Sequence, residues 1–266
     1  MSRYKMYLKI YCKMQAMNMK SLMYYRADFL MMSFFTILSQ TSNLAVIGII
    51  YANIPAVGGW SVWEILMLYG YLLFSEGWVN FFFQGSWKIA QMLNKSEIDR
   101  FLVRPIPVGI QIVASKIDFD GLNKMVISLA ILLVGIINCK INWTVLKIFY
   151  FILSLAIASF IRFCMIWIAS CMSFWIQGPK NSLNYLVLSV GEIAKYPLTI
   201  YPGWLRGIFG YIIPYAYVSY YPVSFILEKN SLKVECLLIV PVCVVMLCLS
   251  ALFLKKGLQR YESSGN

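Results

Sequence analysis

The chain has no histidine. That removes the usual general base and proton relay near neutral pH, and with them the commonest metal ligand. Charge is scarce as well: 13% of the 266 residues are Asp, Glu, Lys or Arg, against 61% hydrophobic. A soluble domain of this length needs far more charge to cover its exterior, so a soluble globular protein is excluded first. Acidic residues are the rarest charged type, 11 against 23 basic. The net charge of +12 has no soluble basic domain to carry it. It therefore argues against nucleic acid as a partner and for basic loops on one side of a membrane. The chain also lacks a G-x-x-x-x-G-K-[ST] phosphate loop, a G-x-S-x-G nucleophile elbow and a zinc-ligand cluster. Seven cysteines are scattered without a C-x-x-C pair. Most fall inside apolar stretches and read as inert thiols; Cys139 and Cys236 fall near one face, where a disulfide is conceivable.

What is present is a series of long apolar segments. At 1.5 Å per residue, about 20 residues cross a hydrocarbon core of about 30 Å. The pattern predicts an all-α integral membrane protein with six transmembrane helices, at Phe29 to Tyr51, Val62 to Phe83, Ile117 to Ile137, Val145 to Trp175, Ser182 to Tyr196 and Val234 to Leu254. Residues 1–27 form a separate element. Arg3, Lys5, Lys9, Lys13, Lys20 and Arg26 alternate with Tyr4, Tyr7, Leu8, Ile10, Tyr11 and Met14. This spacing predicts an amphipathic helix lying in the lipid headgroups, with too long a basic part for a cleaved signal peptide. Residues 28–266 read as one transmembrane domain. Within it, residues 197–222 are too apolar for a solvated loop and too rich in Pro, Gly and Tyr for an ordinary span. They are expected to form re-entrant short helices dipping into the bilayer from the outer face. Lys and Arg concentrate in the N-terminal tail, residues 84–116 and the C-terminus. That bias places those regions, and both termini, in the cytoplasm.

Two places could carry function. Ionisable groups within spans are expensive and often functional. Glu76 and Arg162 fall at similar depth and are expected to approach each other, either joining two helices or lining a substrate route. Glu192 lies three residues from Lys195, which can neutralise it on one helix face; a substrate role for it stays open. At the entry to the third span, Lys116, Asp120 and Lys124 are spaced four apart and can pair along a helix. The second place is the polar break from Asn94 to Pro107. Helical capacity from Trp87 to Leu102 is stopped by Pro105 and Pro107. Glu97, Asp99, Arg100 and Arg104 would then be displayed to water, on a docking element or on a plain connector.

The run Lys95-Ser96-Glu97-Ile98-Asp99-Arg100-Phe101-Leu102-Val103-Arg104-Pro105-Ile106 resembles the signature after the second helix of ABC transporter permeases of the type-2 exporter kind, in a poorly characterised bacterial branch. Tyr196-Pro197-Leu198-Thr199-Ile200-Tyr201-Pro202, then Ile213-Pro214 and Ser219-Tyr220-Tyr221-Pro222, resemble that branch's late Tyr/Pro-rich region. One departure is Ser96, where a glycine is expected. The resemblance implies a permease subunit that is not itself an enzyme and holds no cofactor, ATP and magnesium being bound by a separate ABC ATP-binding subunit in two copies. It implies a second permease, same or different in sequence, and a bacterial plasma membrane. It also implies that residues 84–107 contain a cytoplasmic coupling helix, with Glu97, Asp99, Arg100, Arg104 and Pro105 contacting the ATPase. The competing readings are a membrane-embedded lipid-modifying enzyme, disfavoured by the missing histidine, and a membrane partner protein that transports nothing. No residue pattern names a cargo.

Overall fold

The computed structural model describes residues 3–23, 26–176, 182–229 and 236–262. The chain opens with α1 (Arg3–Met23) and the long α2 (Arg26–Asn53), and a loop leads into α3 (Val62–Phe82). A compact segment of short helices follows: α4 (Ile89–Asn94), α5 (Asp99–Leu102) and α6 (Val108–Val113). Then come α7 (Phe119–Asn138) and α8 (Val145–Cys171), the shorter α9 (Ser182–Ile193), α10 (Gly203–Gly207), α11 (Tyr220–Ile226) and finally α12 (Ile239–Arg260). Among the described residues five helices are long and apolar enough to cross a membrane: α2, α3, α7, α8 and α12. The only β pairing among them is a single bridge between Val57 and Trp60.

Local chemistry sets several helix ends away from the sequence expectation. The Asp118 carboxylate accepts a bond from Asp120 N at 3.1 Å and so caps α7. Lys116 is left ahead of the helix, and the expected Lys116–Asp120 pairing along one face is replaced by Lys124–Asp120 alone. At the start of α3, Ser61 N donates to the Glu64 carboxylate at 2.7 Å, half of a capping box. The last helix is described over Ile239–Arg260, carrying Lys255 and Lys256 in its final turns, and its expected start at Val234 lies outside the described residues. Gly178-Pro179, between the fourth and fifth predicted spans, lies outside the described residues.

The helices alternate between two ends of the bundle. At the end we call basal, Tyr11 and Gln15 of α1 donate to Phe82 O at 2.6 and 3.1 Å, and Asn18 donates to Ala114 O at 2.9 Å. Phe82 O is among the last carbonyls of α3 and has no partner further along the helix, so α1 supplies its cap. Residues 84–118 and the last turn of α12 lie at this same end, where Ile89, Ile98, Phe101, Phe174 and Tyr261 share a core. At the distal end the loops after α2, α7 and α11 meet: Lys229 Nζ donates to Gly59 O at 2.6 Å and pairs with Glu64 at 2.5 Å, while Lys147 pairs with Glu228 at 2.6 Å. The segment from α9 to Thr199 runs between the ends. Asn184 bonds Ser170 near the basal end of α8 at 2.7 Å, and Thr199 bonds Gly58 O at the distal end at 3.2 Å.

Between Thr199 and Lys229 the chain turns inward and comes back. A π-helical turn over Ile208–Ile212 leads to the fully buried Tyr215, whose hydroxyl donates to Val187 O at 2.8 Å, and Ser219 Oγ then donates to Ala194 O at 3.0 Å. Side chains and short helical turns satisfy this broken backbone from within the protein.

Candidate functional site

Two glycines bring α3 and α7 together. A Cβ added to Gly77 would lie 2.6 Å from Gly121 O, and one added to Gly121 would lie 2.6 Å from Gly77 O. Only residues without a side chain let α3 and α7 cross this tightly, the small-residue contact typical of membrane helices. Their neighbours in sequence, Glu76 and Asp120, are thereby brought to one place. Lys124 Nζ bridges them, 2.8 Å from Glu76 Oε1 and 2.7 Å from Asp120 Oδ2. From the other side Arg162 of α8, almost fully buried, sets Nη2 2.9 Å from Glu76 Oε2 and donates Nη1 to Leu72 O at 3.2 Å. The guanidinium also lies over the Tyr215 ring, 5.9 Å from its centroid, so the broken segment after Thr199 completes the enclosure. Two cations face two carboxylates. The cluster is neutral as a whole, which is how ionised groups are tolerated at this depth.

The cluster continues onto α2 through residues the sequence reading did not single out. Ser33, Thr36, Gln40 and Asn43 recur at helical spacing along one side of an otherwise apolar helix. Each meets a polar partner: Ser33 with Asn123 at 2.9 Å, Thr36 with Asp120 at 2.5 Å, Gln40 with the Tyr69 hydroxyl, and Asn43 with Lys195 at 3.2 Å. That spacing was the available signal. A cavity of about 310 Å³ opens beside this stripe, with Thr36, Gln40, Asp120 and Lys124 on one wall and Met32 and Phe35 on the other. Glu192 does not join the Glu76–Arg162 cluster; it pairs with Lys195 on its own turn.

At the basal end the expected single helix from Trp87 to Leu102 is interrupted. The break falls at Ser96, which takes a left-handed backbone with φ of 52°. Glu97 N then reaches back to Met92 O at 2.9 Å, closing α4. Glycine is the residue suited to that conformation, and here serine adopts it. Beyond the turn Ile98 and Phe101 are buried, whereas Leu102 is 49% and Val103 84% exposed. Arg100, Arg104 and Pro105 are exposed beside them, and Arg100 makes only a loose 3.4 Å pair with Glu97. The tip is held from behind. The fully buried Gln111 donates to Phe101 O at 3.0 Å and to Ile106 O at 2.8 Å. Asp99 is half-buried beside Tyr261, whose phenol is pushed above its ordinary range by burial, with Asp99 adding to the shift. Partial burial, with Lys116 close by, holds Lys88 below the usual lysine range.

The family model for the ABC-2 family transporter protein matches residues 37–265. This chain belongs to the ABC-2 transporter family. No curated protein and no solved structure matches it. As a family member it is a multi-pass membrane component of a transporter, consistent with permeases that work with an ATP-binding subunit. The ABC-2 match spans the ion cluster, the broken segment after Thr199 and the basal tip, and begins within α2. None of the seven cysteines of this ABC-2 chain forms a disulfide. The conceivable Cys139–Cys236 disulfide is absent: Cys236 Sγ is engaged by Tyr221 O at 3.3 Å, and burial pushes the Cys139 thiol up to about 11.

Proposed function

We propose that the chain is the permease subunit of an ATP-driven exporter, which forms the substrate pathway with a second permease and is driven by a separate pair of ATP-binding subunits. The observation that carries this reading is the basal tip. Leu102 and Val103 offer apolar surface to water between Arg100 and Arg104, yet the turns that bear them are packed into one core with the ends of α8 and α12. An apolar centre with a charged rim is what a protein partner docks against. The packing behind it gives a push at the tip somewhere to go. On this reading Glu97, Asp99, Arg100, Arg104 and Pro105 make the ATPase contact, and residues 84–107 are the coupling region of a single permease domain over 28–266, preceded by an interfacial helix over 1–27.

The concentration of basic residues at the basal end supports a cytoplasmic basal face, and the family resemblance supports a bacterial plasma membrane. With both α1 and the end of α12 basal, five crossings would leave the chain on the wrong side. The run from α9 to Thr199 supplies the sixth. Cargo would then move along the polar stripe of α2, beside Glu76 and Arg162.

The test is Arg104→Glu in a strain carrying the cognate ATP-binding protein. The Arg104 side chain is exposed and makes no hydrogen bond or ion pair among the described residues, so the variant should insert at normal levels while ATPase co-purification falls at least about tenfold, the effect of a like-charge or lost-charge contact worth about 1.4 kcal/mol or more. Undiminished co-purification and export would end the coupling assignment.

A further inference from the structure

A second cavity lies away from the ion cluster. It is an open crevice of about 700 Å³ at the basal end, walled by Tyr7, Leu8 and Tyr11 of α1, Trp78 and Phe82 of α3, Trp167 of α8 and Leu254 of α12. The lining is almost wholly apolar and includes no acidic side chain. Water has too few polar partners there to fill it. The crevice sits where α3 and α12 leave the bilayer, so the apolar material within reach is lipid. α1 roofs it rigidly, because Tyr11, Gln15 and Asn18 tie that helix to Phe82 O and Ala114 O.

The charge around the crevice selects among lipids. Lys5 and Lys9 on α1, and Lys255 and Lys256 immediately after the lining residue Leu254, are all exposed. α1 contains no Asp or Glu that would offset them. Lysine stems run along apolar surface while their ammonium groups stay at headgroup level, and basic pockets on the cytoplasmic side of membrane helices are suited to anionic headgroups. We infer that this crevice is a binding site for an anionic phospholipid of the inner leaflet, an acyl chain lying between α1, α3 and α12 and its phosphate held by Lys5, Lys9, Lys255 and Lys256. The site does not depend on the ATPase reading.

Native mass spectrometry of the full-length delipidated chain, titrated with phosphatidylglycerol and with phosphatidylethanolamine of the same acyl chains, tests it. Phosphatidylglycerol should be retained with a preference of about tenfold. Ala251→Trp, which fills the crevice from α12, should abolish retention of both lipids with the unfolding temperature in detergent unchanged. Lys255→Gln/Lys256→Gln should keep binding but bring the two lipids toward parity, which separates headgroup recognition from a folding defect. Equal retention of the two lipids by the unaltered chain would overturn the inference. So would undiminished phosphatidylglycerol binding by Ala251→Trp, or a mass that shows a second copy of the chain in place of lipid.

Discussion

Glu76 answers to two cations at once. Arg162 and Lys124 each place a nitrogen within 3 Å of one of its oxygens, at 2.9 and 2.8 Å, so removing it strands two cations against Asp120 alone. Breaking a buried pair by deleting one partner costs about 3–5 kcal/mol, because the remaining charge keeps its desolvation penalty and loses its compensation. Glu76→Gln should therefore destabilise the purified protein more than Arg162→Met, which leaves Glu76 still bonded to Lys124. The double variant should cost less than the two single changes added together. Thermal unfolding in detergent, followed by tryptophan fluorescence, reads all three; strictly additive losses would show that the groups do not interact. The Glu76–Arg162 approach was legible in sequence because two charges stand out inside apolar runs at matching depth. The share of Lys124 was not. It depends on how closely α3 and α7 cross, and no local pattern states that distance. Ser96 was illegible for a related reason: a left-handed turn is announced by glycine, and here serine occupies it.

Elements here are positioned by small contacts rather than by a broad apolar face. α3 and α7 meet at Gly77 and Gly121, and the ion cluster exists because they do. A side chain at either glycine must push the helices apart, at a cost of about 1–3 kcal/mol for overpacking, before any loss of the Lys124 bridge is added. Gly77→Val and Gly121→Val should each lower the unfolding temperature and free Lys124 for acylation by a small amine reagent. Gly48→Val on α2, whose added Cβ would meet nothing within 4 Å, serves as the control for helix propensity. If Gly48→Val were as damaging as the other two, the close crossing would not be the cause. At this scale the long helices were readable from hydropathy alone, since length and apolar content are local properties. The short ones were not. The broken helix at 87–102 depends on Ile98 and Phe101 turning into a core shared with Trp167 and Phe174, which lie far along the chain. The polar side of α2 was present in the sequence as a helical stripe, but its partners Asn123, Asp120, Tyr69 and Lys195 come from three other segments.

For the molecule as a whole the decisive property is the side of the membrane on which each end lies. Cys139, in the distal loop after α7, and Cys12, exposed on α1 at the basal end, report on the two sides independently. In variants that keep one cysteine each, a membrane-impermeant maleimide added to intact cells should label Cys139. Cys12 should be labelled only after the membrane is opened. Chemistry supplies a second signature. The thiolate is the reacting form, and burial, with Glu64 adding to it, pushes the Cys139 thiol up to about 11. A raised value means that the neutral thiol persists through ordinary buffers. Labelling should therefore be slow near neutrality and accelerate about tenfold per pH unit until the thiol titrates. Exposed Cys12 should react faster near neutrality once it is reachable. Labelling of Cys139 only from the inside would invert the assigned orientation and move the tip at Leu102 and Val103 away from any cytoplasmic ATPase. A rate at Cys139 that levelled off at about pH 8.5, as an ordinary exposed thiol does, would mean the distal loop is open to water, and the ion pairs that Lys229 and Lys147 make there could not be holding the segment from Thr199 to Lys229 against α3 and α8.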